Sequence, residues 1–132
     1  MSTDAAFQAR SVKQGSDFEW LVALHLQFKG WNVTEMQATR HGTTIDIVAY
    51  DPGDVEHWIE CKGADGASKR RPGLRDGTTV KVAIGVAYYL QSCGHHQPYV
   101  IATSHLPVPG GLPDTMINRC VADGAIYDVW GI

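Results

Sequence analysis

The sequence has few cysteines, and the three that it has, Cys61, Cys93 and Cys120, form no CxxC pair. This odd count and the spacing disfavour both a disulfide framework and a zinc site made of four thiolates. Long apolar runs are also missing, so we expect no segment that spans a membrane. The first residues lack the apolar stretch of a secretory signal, and we therefore expect a cytoplasmic protein.

Motifs of two common enzyme classes are absent as well. Ser104 and His105 do not lie in a GxSxG elbow, so an esterase-type nucleophile is not indicated. The pair Gly110-Gly111 is not followed by the lysine of a phosphate-binding loop, so nucleotide hydrolysis is not supported. A zinc site that combines His95 and His96 with cysteines is disfavoured by its spacing.

The composition is that of one ordinary globular domain. The chain has 132 residues, of which 44% are hydrophobic and 19% are charged. We expect a single domain over 1–132, with fraying within the polar residues 1–14. The net charge is −3, yet a short window concentrates basic residues: Lys62, Lys69, Arg70, Arg71, Arg75 and Lys81.

Local patterns predict helices and strands in the order α-β-β-β-α-β-α-β. A helix is predicted from a capping box at Ser16 and Glu19 to about Lys29, with Gly30 as its stop. The predicted strands are Trp31–Gln37, Thr43–Tyr50, Glu56–Lys62, Tyr99–Thr103 and an edge strand within Ala125–Trp130. Further helices are predicted at Thr78–Ser92 and Pro113–Ala122. The fold class is therefore α/β, with a mixed central sheet between helices.

The turn Asp51-Pro52-Gly53-Asp54 predicts an antiparallel hairpin between the second and third strands. The stretch Gly63–Gly77 is rich in glycine and basic residues, and we expect a mobile loop there. Within the second strand, alternation places Ile45, Ile47 and Ala49 on one face and Asp46 on the other.

The residues that indicate chemistry are Asp46 and the stretch Ile59-Glu60-Cys61-Lys62. Glu60 and Lys62 point to the same side of their strand, and pairing of the two strands would bring Asp46 beside Glu60. Two carboxylates make a hard oxygen site of the kind that Mg²⁺ prefers, and the backbone carbonyl of Cys61 offers a further ligand. A lysine beside such a site can orient a water molecule or stabilise charge on a phosphate.

This pattern resembles the PD-(D/E)xK nuclease superfamily, and within it the branch of Holliday-junction resolvases and Mrr-type restriction enzymes. Gly15 and Glu19 match the glycine and glutamate of the family's first helix. Gly30-Trp31-Asn32-Val33 matches its next strand, and the approach His41 to Asp46 and the run Ile59 to Lys62 match its motif. Ile45 stands where the superfamily's name has proline.

The resemblance implies a restriction-endonuclease-like fold and a Mg²⁺-dependent deoxyribonuclease, with Mn²⁺ as a substitute. The implied catalytic residues are Asp46, Glu60, Lys62 and Glu19, and the first two, with the Cys61 carbonyl, would hold the metal. Whether Glu19 is also a metal ligand or only a helix cap stays open at this point. One-metal and two-metal mechanisms also stay open.

The substrate implied is DNA, either duplex or branched, cut structure-selectively or in the manner of a restriction enzyme. Backbone phosphates would be held by a basic set comprising Lys69, Arg70, Arg71, Arg75, Lys81 and His41. A homodimer is expected because two symmetric cuts need two sites. A short chain has no separate recognition domain, so a partner protein for targeting is a further expectation.

One alternative belongs to a different functional class. The chain could be a nuclease-fold module that binds nucleic acid or a partner protein without cutting. Carboxylates beside DNA would repel its phosphates unless a cation lies between them, so the acidic pair disfavours this alternative.

Overall fold

The computed structural model describes residues 17–63 and 72–132. In chain order these residues form α1 (Asp17–Phe28), β1 (Asn32–Arg40), β2 (Thr43–Tyr50), β3 (Glu56–Lys62), a 3₁₀ turn (Gly73–Arg75), α2 (Gly77–Ser92), β4 (Tyr99–Thr103), α3 (Leu112–Ala122) and β5 (Asp128–Gly131). The predicted order of helices and strands is confirmed. No helix within these ranges has both the length and the apolar character needed to cross a membrane.

The five strands form one mixed sheet in which spatial order follows chain order. β1, β2 and β3 are antiparallel neighbours, whereas β3, β4 and β5 run parallel. Parallel neighbours need a crossover connection, which α2 supplies between β3 and β4 and α3 supplies between β4 and β5. The α/β class with a mixed sheet flanked by helices is therefore confirmed.

Each face of the sheet has its own apolar cluster. On one face, α1 packs Phe18, Val22 and Leu26 against buried residues of β2, β3 and β4. On the other face, α2 and α3 contribute Val80, Leu90 and others to a second cluster. The sheet thus lies in the middle of a three-layer arrangement, and the inner strand β4 is buried along its whole length because both faces are covered.

The hairpin between β2 and β3 turns at the predicted residues. The Asp51 carboxylate accepts a hydrogen bond from the Val55 N–H at 2.9 Å, and the backbone of Asp51 also bonds to Val55 and Asp54. The antiparallel register runs from Tyr50 opposite Glu56 to Ile47 opposite Ile59. Beyond Ile59 the register of β3 continues with β4 alone.

The side-chain alternation of β2 differs from the expectation. Ile47 and Ala49 pack in the cluster under α1, whereas Ile45 packs in the cluster on the α2 side. The predicted common face of these three residues is therefore wrong. The neighbouring strand changes sides at the same level, because Gln37 has a φ of 54° in the middle of β1. The left-handed Gln37 interrupts the two-residue alternation of β1, and β2 follows it because Ile45 and Ile47 are paired with Ala38 and Met36, which pack in the same two clusters.

β1 continues three residues beyond its predicted end at Gln37. It stays paired with β2 as far as Arg40 opposite Thr43, and His41 and Gly42 make the turn with φ values of 52° and 78°. Two central residues with positive φ are typical of the tight turns that match strand twist. The dipeptide His41-Gly42 is the feature of the sequence that could have indicated this longer hairpin.

The expectation of a loop through Gly77 is wrong for its last part. Leu74 lies in the 3₁₀ turn with no solvent exposure, and its N–H donates to the His105 carbonyl at 3.0 Å. Gly73 has a φ of 56°, and a Cβ there would lie 2.5 Å from the Thr103 hydroxyl oxygen. The chain is therefore fixed against the end of β4 at this point. Residues 64–71 of the predicted loop and Ser16 of the predicted cap lie outside the described residues.

Two glycine substitutions test this packing in opposite directions. A Cβ at Gly63 would lie 2.1 Å from Cγ of the buried Phe18, whereas a Cβ at Gly85 in α2 meets nothing within 4 Å. We expect Gly63→Ala to lower the free energy of unfolding by about 1–3 kcal/mol through overpacking. Gly85→Ala should raise it by about 0.5–1 kcal/mol through helix propensity. Urea denaturation measures both, and equal effects would contradict the packing described here.

Candidate active site

Asp46 lies where β2 and β3 cease to pair. Its Oδ2 atom accepts a hydrogen bond from the backbone N–H of Cys61 at 2.8 Å. That N–H comes two residues after the last paired residue of β3, Ile59. The carboxylate therefore satisfies a backbone donor of β3, which fixes Asp46 against the second half of that strand.

Glu60 is an acidic residue within the apolar layer on the α2 side. The residue is 8% exposed, and its Oε1 atom is buried without a hydrogen-bond partner. Its Oε2 atom lies 3.2 Å from Nζ of Lys62. A buried carboxyl with an unpaired oxygen is costly, which makes this position unusual for a purely structural residue.

Lys62 is the cation of this group. Its side chain is 20% exposed and that of Glu60 is 11% exposed, so the contact between the Lys62 amine and the Glu60 carboxyl is largely removed from water. The backbone carbonyl of Lys62 accepts a hydrogen bond from the buried Thr103 hydroxyl at 2.7 Å. The end of β3 is therefore held by β4, and the lysine amine lies beside the Glu60 carboxyl.

Burial, and after it the nearby Asp46 charge, raise the pKa of Glu60 from 4.5 to about 8. The Lys62 amine lowers this pKa but does not outweigh burial. Two acids that share a desolvated site cannot both ionise easily, so Glu60 retains its proton near neutral pH. A divalent cation bound by both acids would remove the repulsion between them.

Gln37 is a member of the site that the sequence reasoning missed. Its Nε2 atom lies 2.6 Å from Oε2 of Glu19 and 3.2 Å from Oδ1 of Asp46, so one amide donates to two carboxylates. No motif indicated it, because its role depends on the change of side within β1. A glutamine at the end of a predicted strand gives no signal by itself.

Glu19 is therefore connected to Asp46 through the side-chain amide of Gln37. It lies in the first turn of α1 and is half-buried. The structure brings Asp46, Glu60 and Lys62 together directly and adds Glu19 through Gln37. The roles assigned to these residues in catalysis remain predictions.

The Cys61 side chain packs on the opposite face of β3, against the cluster under α1. Burial raises the pKa of its thiol well above the usual value. The negative charge of Asp46 is the second cause and raises the pKa in the same direction. A neutral thiol on that face is a poor nucleophile, so the contribution of Cys61 to the site comes from its backbone.

The basic residues predicted to contact DNA lie in different places. Lys69, Arg70 and Arg71 lie outside the described residues. Arg75 is exposed in the 3₁₀ turn, and its Nε donates to the Leu106 carbonyl at 3.3 Å. Lys81 is exposed on α2. Arg75 is close in the fold to the carboxyl end of β4, which is paired with the end of β3 that carries Lys62.

His41 lies in the turn between β1 and β2. Its carbonyl accepts a hydrogen bond from the Tyr89 hydroxyl at 2.6 Å, and its ring lies 6.3 Å from that of Trp58. It lines a surface cavity of about 460 Å³ with Trp58, His95 and neighbouring residues. Trp58 is stacked on His95 at 5.0 Å and is buried, so it serves packing there.

Among residues 17–63 and 72–132, no three side chains of His, Cys, Asp or Glu are arranged as a ligand set for a metal ion. The acids Asp46 and Glu60 thus form a pair, and further ligands would have to come from backbone, amide or water oxygens. Comparison of the chain with protein-family models, curated proteins and solved structures finds no match.

The buried acid makes the stability of the metal-free protein depend on pH. In the unfolded chain Glu60 loses its proton near pH 4.5, but in the fold it keeps it to about 8. The native state binds more protons across this window, so the free energy of unfolding should fall as pH rises. The slope from this group is at most about 1.4 kcal/mol per pH unit.

Urea denaturation with a chelator at several pH values within that window measures this slope. Glu60→Gln has no titrating group at this position, and its free energy of unfolding should fall less steeply with pH. If the wild type and this variant show the same pH dependence, Glu60 is not the buried acid described here.

Proposed function

We propose that the protein is a Mg²⁺-dependent endonuclease that hydrolyses phosphodiester bonds in DNA, with a restriction-endonuclease-like fold. The observation that carries this proposal is the meeting of Asp46, Glu60 and Lys62 at the point where β2 and β3 separate. The resemblance of the sequence motif to the PD-(D/E)xK nucleases supports the same reaction.

The residues at this point fit Mg²⁺. Asp46 and Glu60 supply carboxylate oxygens, and Oε1 of Glu60 is a buried oxygen without a partner. Mg²⁺ is commonly held by one or two carboxylates, and completes its shell with water and substrate phosphate. Two carboxylates and one backbone carbonyl, such as that of Cys61, are therefore enough protein ligands for a Mg²⁺ ion. When bound, Mg²⁺ would supply Lewis-acid polarisation of the scissile phosphate.

Lys62 would hold the attacking water and neutralise charge that develops on the phosphate. Its ammonium group is a compact charge with three donors, and the neighbouring Glu60 fixes its position. Partial exclusion of water strengthens this electrostatic effect, since both side chains are largely buried.

The basic residues give the surface on which DNA would lie. Arg75 is exposed near the carboxyl ends of β3 and β4, and Lys81 follows on α2. Lys69, Arg70 and Arg71 belong to the connection that leaves β3 directly after Gly63. These side chains would contact backbone phosphates, which orient a duplex or a branched DNA without reading its sequence.

Cleavage of supercoiled plasmid and of a four-way junction with Mg²⁺ tests the proposal. We expect Lys62→Ala and Asp46→Asn each to reduce the rate at least about 100-fold, since the first removes the cation beside the reacting phosphate and the second removes a carboxylate ligand of Mg²⁺. Arg119→Ala and Asp54→Asn are controls at exposed positions and should leave the rate unchanged.

A wild-type protein that binds DNA but does not cut it under any of these conditions would favour a non-cleaving module. Undiminished cleavage by both site variants would place the reaction elsewhere in the chain.

A homodimer is part of this proposal, and the outer face of α1 suits a second copy of the chain. Leu21, Leu24 and Phe28 are 54%, 41% and 94% exposed there. Asp17, Leu21, Leu24 and Phe28 are separated by four, three and four residues. This spacing is the same whether the helix is followed from its first residue or from its last. An antiparallel pair of α1 helices would therefore place Leu21 opposite Leu24 of the second copy, with Asp17 near its Lys29.

Light scattering measures this association. We expect a mass of about twice the 14.4 kDa chain mass for the wild type. Leu24→Glu should lower it to that of one chain, because a buried charge in each copy would oppose pairing. Val82→Glu, at a similarly exposed apolar position on α2, is the control. A wild-type mass of one chain at working concentration would contradict the dimer.

A further inference from the structure

The amide of Gln37 joins two acids that belong to different layers of the molecule. Glu19 comes from α1 and Asp46 from β2, and the Gln37 Nε2 atom lies 2.6 Å and 3.2 Å from their oxygens. An amide nitrogen carries two hydrogens, so both bonds can form at once. Without this donor, the two negative charges would face each other across a half-buried space.

The backbone of Gln37 is in a conformation that glutamine rarely adopts. Its φ of 54° lies in the left-handed region, and Met36 and Ala38 on either side pack in different apolar clusters. Left-handed non-glycine residues cluster at functional sites, where the surrounding structure maintains the strain. Glycine adopts this conformation at no steric cost, yet the chain has a glutamine here.

Both oxygens of Asp46 therefore have fixed donors. Oδ2 accepts from the Cys61 N–H at 2.8 Å, and Oδ1 accepts from Gln37. Two donors on two oxygens fix the plane of a carboxylate, and each oxygen keeps a second lone pair for another ligand. Gln37 provides this orientation without adding charge, whereas a lysine would compete with a bound cation.

We propose that Gln37 is a positioning residue, which sets the Asp46 carboxylate for a divalent cation and links its orientation to Glu19 on α1. This role rests on the proposed nuclease function. The strained backbone is retained because the side chain it presents is needed at the site rather than for folding. Metal-ligating carboxylates are generally held by such outer hydrogen bonds, and loss of one typically costs 10–100-fold in metal affinity or activity.

Gln37→Gly separates positioning from folding. The variant relieves the left-handed strain but also removes the donor shared by Glu19 and Asp46, and because these two effects oppose each other its thermal midpoint in chelator should stay close to that of the wild type. Its Mg²⁺ concentration for half-maximal cleavage should rise at least about 10-fold, because the Asp46 carboxylate is no longer fixed. Gln37→Asn keeps an amide but shortens the side chain, and should give a smaller rise than Gln37→Gly.

Asp54→Gly is the matched control, because Asp54 also has a positive φ, of 67°, and lies exposed in the turn between β2 and β3. It should match Gln37→Gly in thermal midpoint but keep the wild-type Mg²⁺ dependence. Wild-type Mg²⁺ dependence in both Gln37 variants would overturn the positioning role while leaving the nuclease function intact. A wild-type protein that neither cleaves DNA nor responds to Mg²⁺ would overturn both.

Discussion

The burial of one acid beside another is the constraint on which the site depends. Glu60 lies in the apolar layer on the α2 side with one unpaired oxygen, and burial and the Asp46 charge together raise its pKa to about 8. Such a pair destabilises the metal-free fold near neutral pH. A bound cation would offset this loss of stability, because it neutralises the repulsion between the two acids. The proposed activity and the stability of the fold therefore depend on the same pair of residues.

The fold produces this pair through a local separation of strands. β2 and β3 pair only as far as Ile47 and Ile59, and the Asp46 carboxylate then takes the place of a backbone partner for Cys61. β4 holds the end of β3 through its parallel register and through the Thr103 hydroxyl. The acids and the lysine are thus set by hydrogen bonds of the sheet rather than by a loop, which favours precise geometry.

Much of the architecture could be predicted from the sequence because its signals are local. The strands Thr43–Tyr50, Glu56–Lys62 and Tyr99–Thr103 have their predicted bounds, and the turn at Asp51 brings Asp46 towards Glu60. Gln37 could not be predicted, because its part in the site follows from a left-handed backbone conformation within β1. The burial of Leu74 was missed for a similar reason, since it depends on contact with the distant His105.

Calorimetric titration of Mg²⁺ into the metal-free protein measures whether Asp46 and Glu60 bind a divalent cation. We predict saturable binding by the wild type at pH 8 or above, where Glu60 can release its proton, and loss of that binding in Asp46→Asn. Absence of binding by the wild type, or binding of equal strength in Asp46→Asn, would show that the two acids are not a cation site.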